Sequence, residues 1–170
     1  MRHHRPTTGL PPFGAAPPVV RFPTGATLLL GAGLGGFVDG IVLHQLLQWH
    51  HIASSAGVPV DTVDGLQMNT RLDGLFHAAT WILTVLGVAL LWRGARNGSR
   101  LSWTRMIGGV LMGFGLFNLI EGLVNHQLLG LHHVNETAPP EQWLTWDLGF
   151  LASGAVLLAA GYAISRKAPA

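Results

Sequence analysis

The amino-acid sequence predicts an all-α integral membrane protein, a four-helix bundle built from two parallel two-helix repeats. The 170-residue chain is 49% hydrophobic and 11% charged, with a mean hydropathy of +0.39, whereas soluble domains carry about 25% charged residues. Four apolar stretches are long enough to cross the hydrocarbon layer, which takes about 20 residues of helix. One of these stretches recurs later in the chain with its ionisable residues in register.

The four predicted spans cover residues 26–49, 72–92, 106–131 and 144–164. Buried helices of a soluble bundle would show amphipathic faces with charged outer stripes. The second span has none, because no ionisable residue follows Asp73 and His77 until Arg93. We therefore divide the chain into a disordered cytoplasmic arm (1–23), a single four-span membrane domain (24–165, with repeat one at 26–92 and repeat two at 106–164) and a cytoplasmic tail (166–170).

The basic residues predict the orientation in the membrane. Nine of the ten Lys and Arg residues fall in the N-terminal arm, the connection between the second and third spans, or the C-terminal tail, and only Arg71 falls on the other side. Lys and Arg accumulate in cytoplasmic loops. We therefore expect a multi-pass protein of the bacterial inner (cytoplasmic) membrane with both termini cytoplasmic and with connections 52–71 and 132–143 outside. The formal net charge of +2 gives no basis for a nucleic-acid partner.

Glycines in the first and third spans predict close helix packing. Residues 31–36, GAGLGG, match the G-x-G-x-x-G pattern of dinucleotide sites, but that pattern needs a preceding strand and a turn, and here it lies within a span. Small residues four apart let membrane helices approach each other closely. Gly31 and Gly35 have this spacing, and Gly109 and Gly113 repeat it.

The recurring stretch carries the candidate chemistry. Residues 37–52, FVDGIVLHQLLQWHHI, return 82 positions later within residues 117–134, FNLIEGLVNHQLLGLHHV. Four ionisable positions match without a gap: Asp39 with Glu121, His44 with His126, His50 with His132, and His51 with His133. The fourth span begins like the second with an offset of 74, so Asp147 corresponds to Asp73, although Leu151 replaces His77. Two spans per repeat place corresponding residues at equal depth in the membrane.

Counting 1.5 Å per residue along each span, the candidate residues fall into three layers. The outer layer holds His50, His51, Asp73, His132, His133 and Asp147; the next holds His44, His77 and His126; the deepest holds Asp39 and Glu121. On an ideal helix Asp39 lies about 140° around the axis from His44. We therefore expect these two side chains not to share a face.

These residues predict a metal centre near the outer face. A charged group at the bilayer centre costs about 2.5–3.5 kcal/mol, so buried carboxylates need protons or partners. Imidazole and carboxylate ligands suit copper(II), zinc or iron. The chain has no Cys, which excludes thiolate sites, iron–sulfur clusters and disulfides. The predicted ligands are His44, His51, Asp73, His77, His126, His133 and Asp147, and the predicted secondary or relay groups are Asp39, His50, Glu121 and His132.

The predicted function is a metal-dependent oxidoreductase or a copper-handling factor, and the sequence leaves open whether the protein is an enzyme. Three alternatives stay open. One is a proton or ion carrier that uses Asp39 and Glu121 as a relay, and another is a bis-histidine haem protein with His44 and His126 as axial ligands. The third is an interhelical hydrogen-bond network without a metal. The expected partner is the lipid bilayer, with other membrane subunits or a homo-oligomer left open.

Four sequence segments together resemble a known family. These are GFVDGIVLHQLLQWHH, LDGLFHAATW, EGLVNHQLLGLHH and WDLGF. The arrangement resembles the bacterial membrane proteins of domain of unknown function 2243, and the resemblance covers roughly residues 25–165. It implies a four-span inner-membrane protein and supplies no established activity.

Overall fold

A computed structural model describes residues 21–167, so most of the predicted arm and the last residues of the tail lie outside the described part. This part is all helical, with no strand. Two of the four α-helices continue directly into π-helical segments. The elements are α1 (Thr24–Val38), the first π segment (Asp39–Leu46), α2 (Val63–Arg96), α3 (Trp103–Glu121), the second π segment (Gly122–Leu128) and α4 (Pro140–Arg166). Four helical stretches are long and apolar enough to cross a membrane, which confirms the predicted all-α membrane fold.

Helix α2 begins nine residues before the predicted second span. Thr62 caps it, because its hydroxyl oxygen accepts a hydrogen bond from the backbone N–H of Gly65 at 3.2 Å. The first turns contain Asp64 and Arg71, which lower the local hydropathy. The start of this helix therefore could not be predicted from apolar residues alone. With 34 residues, α2 is about 51 Å long and exceeds the hydrocarbon thickness of about 30 Å.

Helices α1 and α3 form the centre of the bundle, with α2 packed on α1 and α4 packed on α3. The two central helices meet at glycines, as their spacing predicts. A Cβ added to Gly31 would lie 2.1 Å from the carbonyl oxygen of Val110, and one added to Gly113 would lie 2.1 Å from the carbonyl oxygen of Leu28. Val110 and Gly113 follow Leu28 and Gly31 by 82 positions, so the two contacts correspond. The internal duplication itself stays a prediction.

The bundle buries small and polar residues and leaves its large apolar side chains outside. Trp92 is 68% exposed and Trp103 is 75% exposed, which suits helices whose outer faces meet lipid. The largest fully buried side chains in the described part are His44, His132, Asn69, Thr27, Asp73 and Asp147. The interior is therefore organised around polar groups, and most of them lie near one end of the bundle.

We expect Gly31→Ala to destabilise the fold, because the added methyl group would overlap a backbone oxygen that cannot rotate away. Overpacking of this kind lowers the free energy of unfolding by about 1–3 kcal/mol. Gly74→Ala is the matched control, since a Cβ there meets nothing within 4 Å and alanine is the better helix former. Thermal unfolding in detergent should show a lower midpoint for Gly31→Ala only. Equal midpoints for the two variants would contradict this packing.

Candidate metal centre

The first π segment brings Asp39 onto the same face as His44. In a π-helix each hydrogen bond joins residues five apart, so residue i+5 lies above residue i. The His44 Nε2 atom lies 3.2 Å from Asp39 Oδ2, and both side chains are buried. The second π segment does the same, with His126 Nε2 3.1 Å from Glu121 Oε1. The expectation that Asp39 and His44 do not share a face was therefore wrong, because this segment is a π-helix and not an ideal α-helix.

The chain folds back after each π segment. Gln48 has a positive φ of 49° and the N–H of Trp49 donates to the Leu43 carbonyl oxygen at 2.9 Å. The first span therefore ends near Leu46 rather than at residue 49, and the next residues return toward the bundle. His50, which the layer model placed at the outer end of a continuous helix, is 2% exposed.

Because of this return, the predicted outer and middle layers merge into one cluster of imidazoles. The ring centroid of His50 lies 4.3 Å from that of His44, and the centroid of His132 lies 4.8 Å from that of His126. The rings of His50 and His132 stack with centroids 4.4 Å apart and an interplanar angle of 8°. The separate depths expected for these four histidines were wrong, because the layer model assumed straight helices.

The two loops that follow the π segments hold each other's histidines through backbone carbonyl oxygens. His50 Nδ1–H donates to the carbonyl oxygen of Val134 at 2.8 Å, and His132 Nδ1–H donates to that of Ile52 at 3.2 Å. A carbonyl oxygen only accepts, so the Nδ1 atoms carry the protons. In the neutral imidazoles, Nε2 therefore holds a lone pair. Burial, followed by repulsion from neighbouring imidazoles, lowers the pKa of His50 well below its ordinary value, which keeps this ring neutral and able to bind a metal.

Asp73 orients His44 and gathers the loop that follows it. The carboxylate is buried, and its Oδ1 accepts from His44 Nδ1–H at 2.9 Å and from the N–H of Ile52 at 3.0 Å. Its Oδ2 accepts from His51 Nδ1–H at 2.6 Å and from the Gln45 amide at 3.3 Å. With Nδ1 engaged in this way, His44 turns Nε2 toward Asp39. This carboxylate–histidine arrangement is common next to metal ions.

Asp147 has the corresponding role in the second half. Its Oδ2 accepts from His133 Nδ1–H at 2.7 Å and from the Gln127 amide at 3.1 Å, and its Oδ1 accepts from the N–H of Val134 at 2.9 Å. The one looser contact is to His126, whose Nδ1 lies 3.5 Å from Oδ1. The Nδ1 contact of His126 is thus longer than that of His44. Glu121, in turn, lies closer to the imidazoles than Asp39 does.

Glu121 Oε1 lies against two imidazole nitrogens. It is 2.9 Å from His132 Nε2 and 3.1 Å from His126 Nε2. Since Nδ1 of His132 already carries its proton, a neutral His132 directs a lone pair at the carboxylate oxygen. A proton or a cation must therefore lie between these atoms.

Several atoms of this cluster are buried polar atoms without a hydrogen-bond partner, which is costly in a folded protein. Two sets of potential ligand atoms lie within 4.8 Å of one another. The first consists of His44, His50 and His132, and the second of Glu121, His126 and His132. The unpartnered atoms of the cluster are Oδ1 and Oδ2 of Asp39, Nε2 of His44, Nε2 of His50, Oε2 of Glu121, and Nδ1 and Nε2 of His126. The ligand atoms of each set are close enough together that the set could hold one metal ion.

The other predicted ligands lie around this cluster. His51 and His133 direct Nδ1 to Asp73 and Asp147, and those carboxylates orient His44 and approach His126. His77 belongs to neither set of ligand atoms, and its ring lies beside Phe37 and Phe76, at centroid distances of 6.4 Å and 5.9 Å. Every histidine and carboxylate of the cluster was predicted from the sequence. Its central members, His50 and His132, were however predicted to have only a secondary role.

Three polar side chains that hold the two halves in place were not predicted from the sequence. Gln45 and Gln127 bind the orienting carboxylates, and their recurrence 82 positions apart was a signal that could have found them. Asn69, fully buried, accepts from the N–H of Ala53 at 3.3 Å and donates to the Val58 carbonyl oxygen at 3.3 Å. Asn69 thereby holds the loop after the first π segment in place. Its position does not belong to the recurring pattern, so the repeat could not have predicted this role.

Fold and site together define a class: a four-span helical membrane protein with buried histidine–carboxylate groups that can hold a metal ion. The chain belongs to the predicted membrane protein family DUF2243, whose model matches residues 26–168. This confirms the resemblance drawn from the sequence. No curated protein matches the chain, and no solved structure matches it.

Proposed function

We propose that the protein binds a transition metal ion in the buried cluster. The single observation that carries this proposal is that the Nε2 atoms of His44, His126 and His132 face buried carboxylate oxygens at 3.2, 3.1 and 2.9 Å. The proposed ligands are His44, His50, His126, His132 and Glu121, with Asp39 beside them. Asp73 and Asp147 orient the imidazoles, and His51 and His133 hold those carboxylates. The duplication would then supply one half of the centre from each repeat.

The alternatives without a bound metal or with haem fit these contacts less well. A hydrogen-bond network would need a donor for each buried acceptor. Asp39 Oδ1 has none, and Oδ2 faces only Nε2 of His44, whose ring already donates through Nδ1 to Asp73. A haem needs its two axial imidazoles on opposite faces of a porphyrin. The rings of His50 and His132 lie close to those of His44 and His126, at centroid distances of 4.3 Å and 4.8 Å, and occupy the space that a porphyrin would need.

The donor atoms favour copper(II), zinc or iron, because they are imidazole nitrogens and carboxylate oxygens without sulfur. A metal-dependent oxidoreductase or a copper-handling factor remains the proposed role. Elemental analysis of protein purified in mild detergent, without a histidine tag, tests the metal centre directly. We expect stoichiometric metal as isolated, or saturable uptake of copper, zinc or iron after chelation. Protein that neither contains nor takes up any of these metals would overturn the proposal.

We also propose that the centre lies near the outer face of the bacterial inner membrane, with both termini cytoplasmic. The cluster lies at the end of the bundle formed by the connections 47–62 and 129–139, whereas the other end carries most basic residues. Positive residues favour the cytoplasmic side. The basic residues at the end opposite the cluster are Arg21, Arg93, Arg96, Arg100, Arg105, Arg166 and Lys167.

The orientation is testable because the chain has no native Cys. Ala56→Cys and Asn97→Cys are a matched pair at exposed positions on opposite ends of the bundle. In intact cells, an impermeant thiol reagent should label Ala56→Cys and leave Asn97→Cys unlabelled until the membrane is opened. The reverse pattern would place the centre at the cytoplasmic face.

A further inference from the structure

A groove of about 440 Å³ runs between α1, α2 and α3 and ends at the candidate metal centre. Its walls are apolar side chains, including Leu29, Ala32 and Leu83, and its volume lies within the usual range for ligand pockets, about 300–1,000 Å³. Ile120 at its edge is 61% exposed on the outside of the bundle. In a membrane protein this groove is open to lipid-soluble molecules.

The inner end of the groove is polar at two residues, Glu121 and Asn125, and the Asn125 amide donates to Glu121 Oε1 at 3.4 Å. Glu121 lines the groove and is 5% exposed, and its Oε2 has no hydrogen-bond partner. Its other oxygen faces the imidazoles of His126 and His132. The same carboxylate therefore contacts the candidate centre through Oε1, whereas its buried Oε2 meets no hydrogen-bond donor.

Aromatic rings flank this groove. Phe76 and Phe117 both line it, with ring centroids 6.1 Å apart, a separation at which aromatic rings attract each other. Phe76 also stacks on His44, at a centroid distance of 5.5 Å and an interplanar angle of 7°. An aromatic ring in the groove would lie beside both phenylalanines and close to the centre.

We propose that the groove binds a long-tailed hydroquinone from the bilayer, with a ring hydroxyl donating to Glu121 Oε2. The apolar walls suit the tail and the phenylalanines suit the ring. A phospholipid acyl chain would match the walls but would leave Oε2 without a donor. This inference rests on the proposed metal centre, for which it supplies the substrate class.

The two halves of the chain suggest a variant that blocks the groove. Ala32 corresponds, at an offset of 82, to Phe114 in the second half. Ala32→Phe should fill the groove while leaving the cluster intact, since it lies seven residues before Asp39 on the helix, about 10 Å away. Ala89→Phe is the matched control, because Ala89 is exposed on α2 and does not line the groove.

The test measures binding of decylubiquinol and of its dimethyl ether to protein in nanodiscs, by calorimetry against empty nanodiscs, with metal content determined on each sample. We expect saturable binding to wild type and Ala89→Phe, and binding about tenfold weaker or worse in Ala32→Phe. The ether, which has no hydroxyl, should also bind wild type about tenfold more weakly, because a hydrogen bond to a charged group is lost.

Equal binding of the hydroquinone to Ala32→Phe and wild type would overturn this inference. Equal binding of the ether and the hydroquinone to wild type would also overturn it and would favour an acyl chain as the occupant. Metal-loaded wild type that binds neither compound would overturn the groove assignment and leave the metal centre standing. Protein without metal would overturn the proposed function instead, and the Ala32→Phe comparison would still decide the groove.

Discussion

His132→Ala is expected to abolish metal binding, whereas His133→Ala at the next position is expected to weaken it by about 10–100-fold. His132 belongs to both sets of potential ligand atoms. Its Nε2 lies 2.9 Å from Glu121 Oε1, so its removal takes a ligand from either possible ion position. His133 instead holds Asp147 at 2.7 Å, and loss of such an outer partner typically lowers metal affinity by about 10–100-fold.

The measurement is metal content and affinity of the two variants after chelation and reconstitution. His50→Ala and His51→Ala form the corresponding pair in the first half and should repeat the contrast when the ion lies between His44, His50 and His132, because His50 is a potential ligand in that set only and His51 binds Asp73. Thermal unfolding of each metal-free variant separates loss of a ligand from loss of the fold. Retention of full affinity in His132→Ala, with loss in His133→Ala, would place the metal at the outer histidines.

The fold followed from the sequence because its determinants are local. Apolar runs of sufficient length give the four spans. Glycine spacing gives the contact between the central helices, since backbones can approach closely only where Gly31 and Gly113 lack a Cβ. The start of α2 was harder to predict. Its first turns are polar and are fixed by the Thr62 cap rather than by hydropathy.

The identity of the candidate residues also followed from the sequence, because four ionisable positions recur in register. Their geometry did not follow. Whether Asp39 meets His44 depends on a switch from α- to π-helix, and a five-residue spacing on an α-helix separates the same two groups. Residues 39–46 contain no proline that would mark such a switch.

The central role of His50 and His132 depends on contacts between the two halves. Each ring is held by a carbonyl oxygen in the loop of the other half, Val134 for His50 and Ile52 for His132. These contacts join residues about 80 positions apart, and no periodicity within either segment predicts them. A straight-helix model places both rings at the outer end of the spans, whereas the returning loops bring them to the centre of the cluster.

Glu121→Gln is expected to lower metal affinity by more than about 100-fold, and Asp39→Asn by about tenfold. The two carboxylates correspond in the repeat, but their contacts differ. Glu121 Oε1 lies within 3.1 Å of two imidazole nitrogens, whereas Asp39 Oδ2 lies 3.2 Å from one. Both substitutions keep the side-chain shape and remove the negative charge that offsets the metal. Loss of the charge should therefore lower metal affinity more at a ligand than at an outer partner, for which a loss of about 10–100-fold is typical.

The same two variants separate the three functions that use these carboxylates. In a metal centre, metal affinity falls in the order given above. In a proton or ion relay, metal content stays unchanged in both variants, and pH-driven proton uptake into proteoliposomes disappears. In a hydrogen-bond network, wild type holds no metal, and the variants differ from it only in thermal stability in detergent. Equal, full metal occupancy in Glu121→Gln and wild type would remove Glu121 from the centre, because an amide cannot replace the charge of a carboxylate ligand.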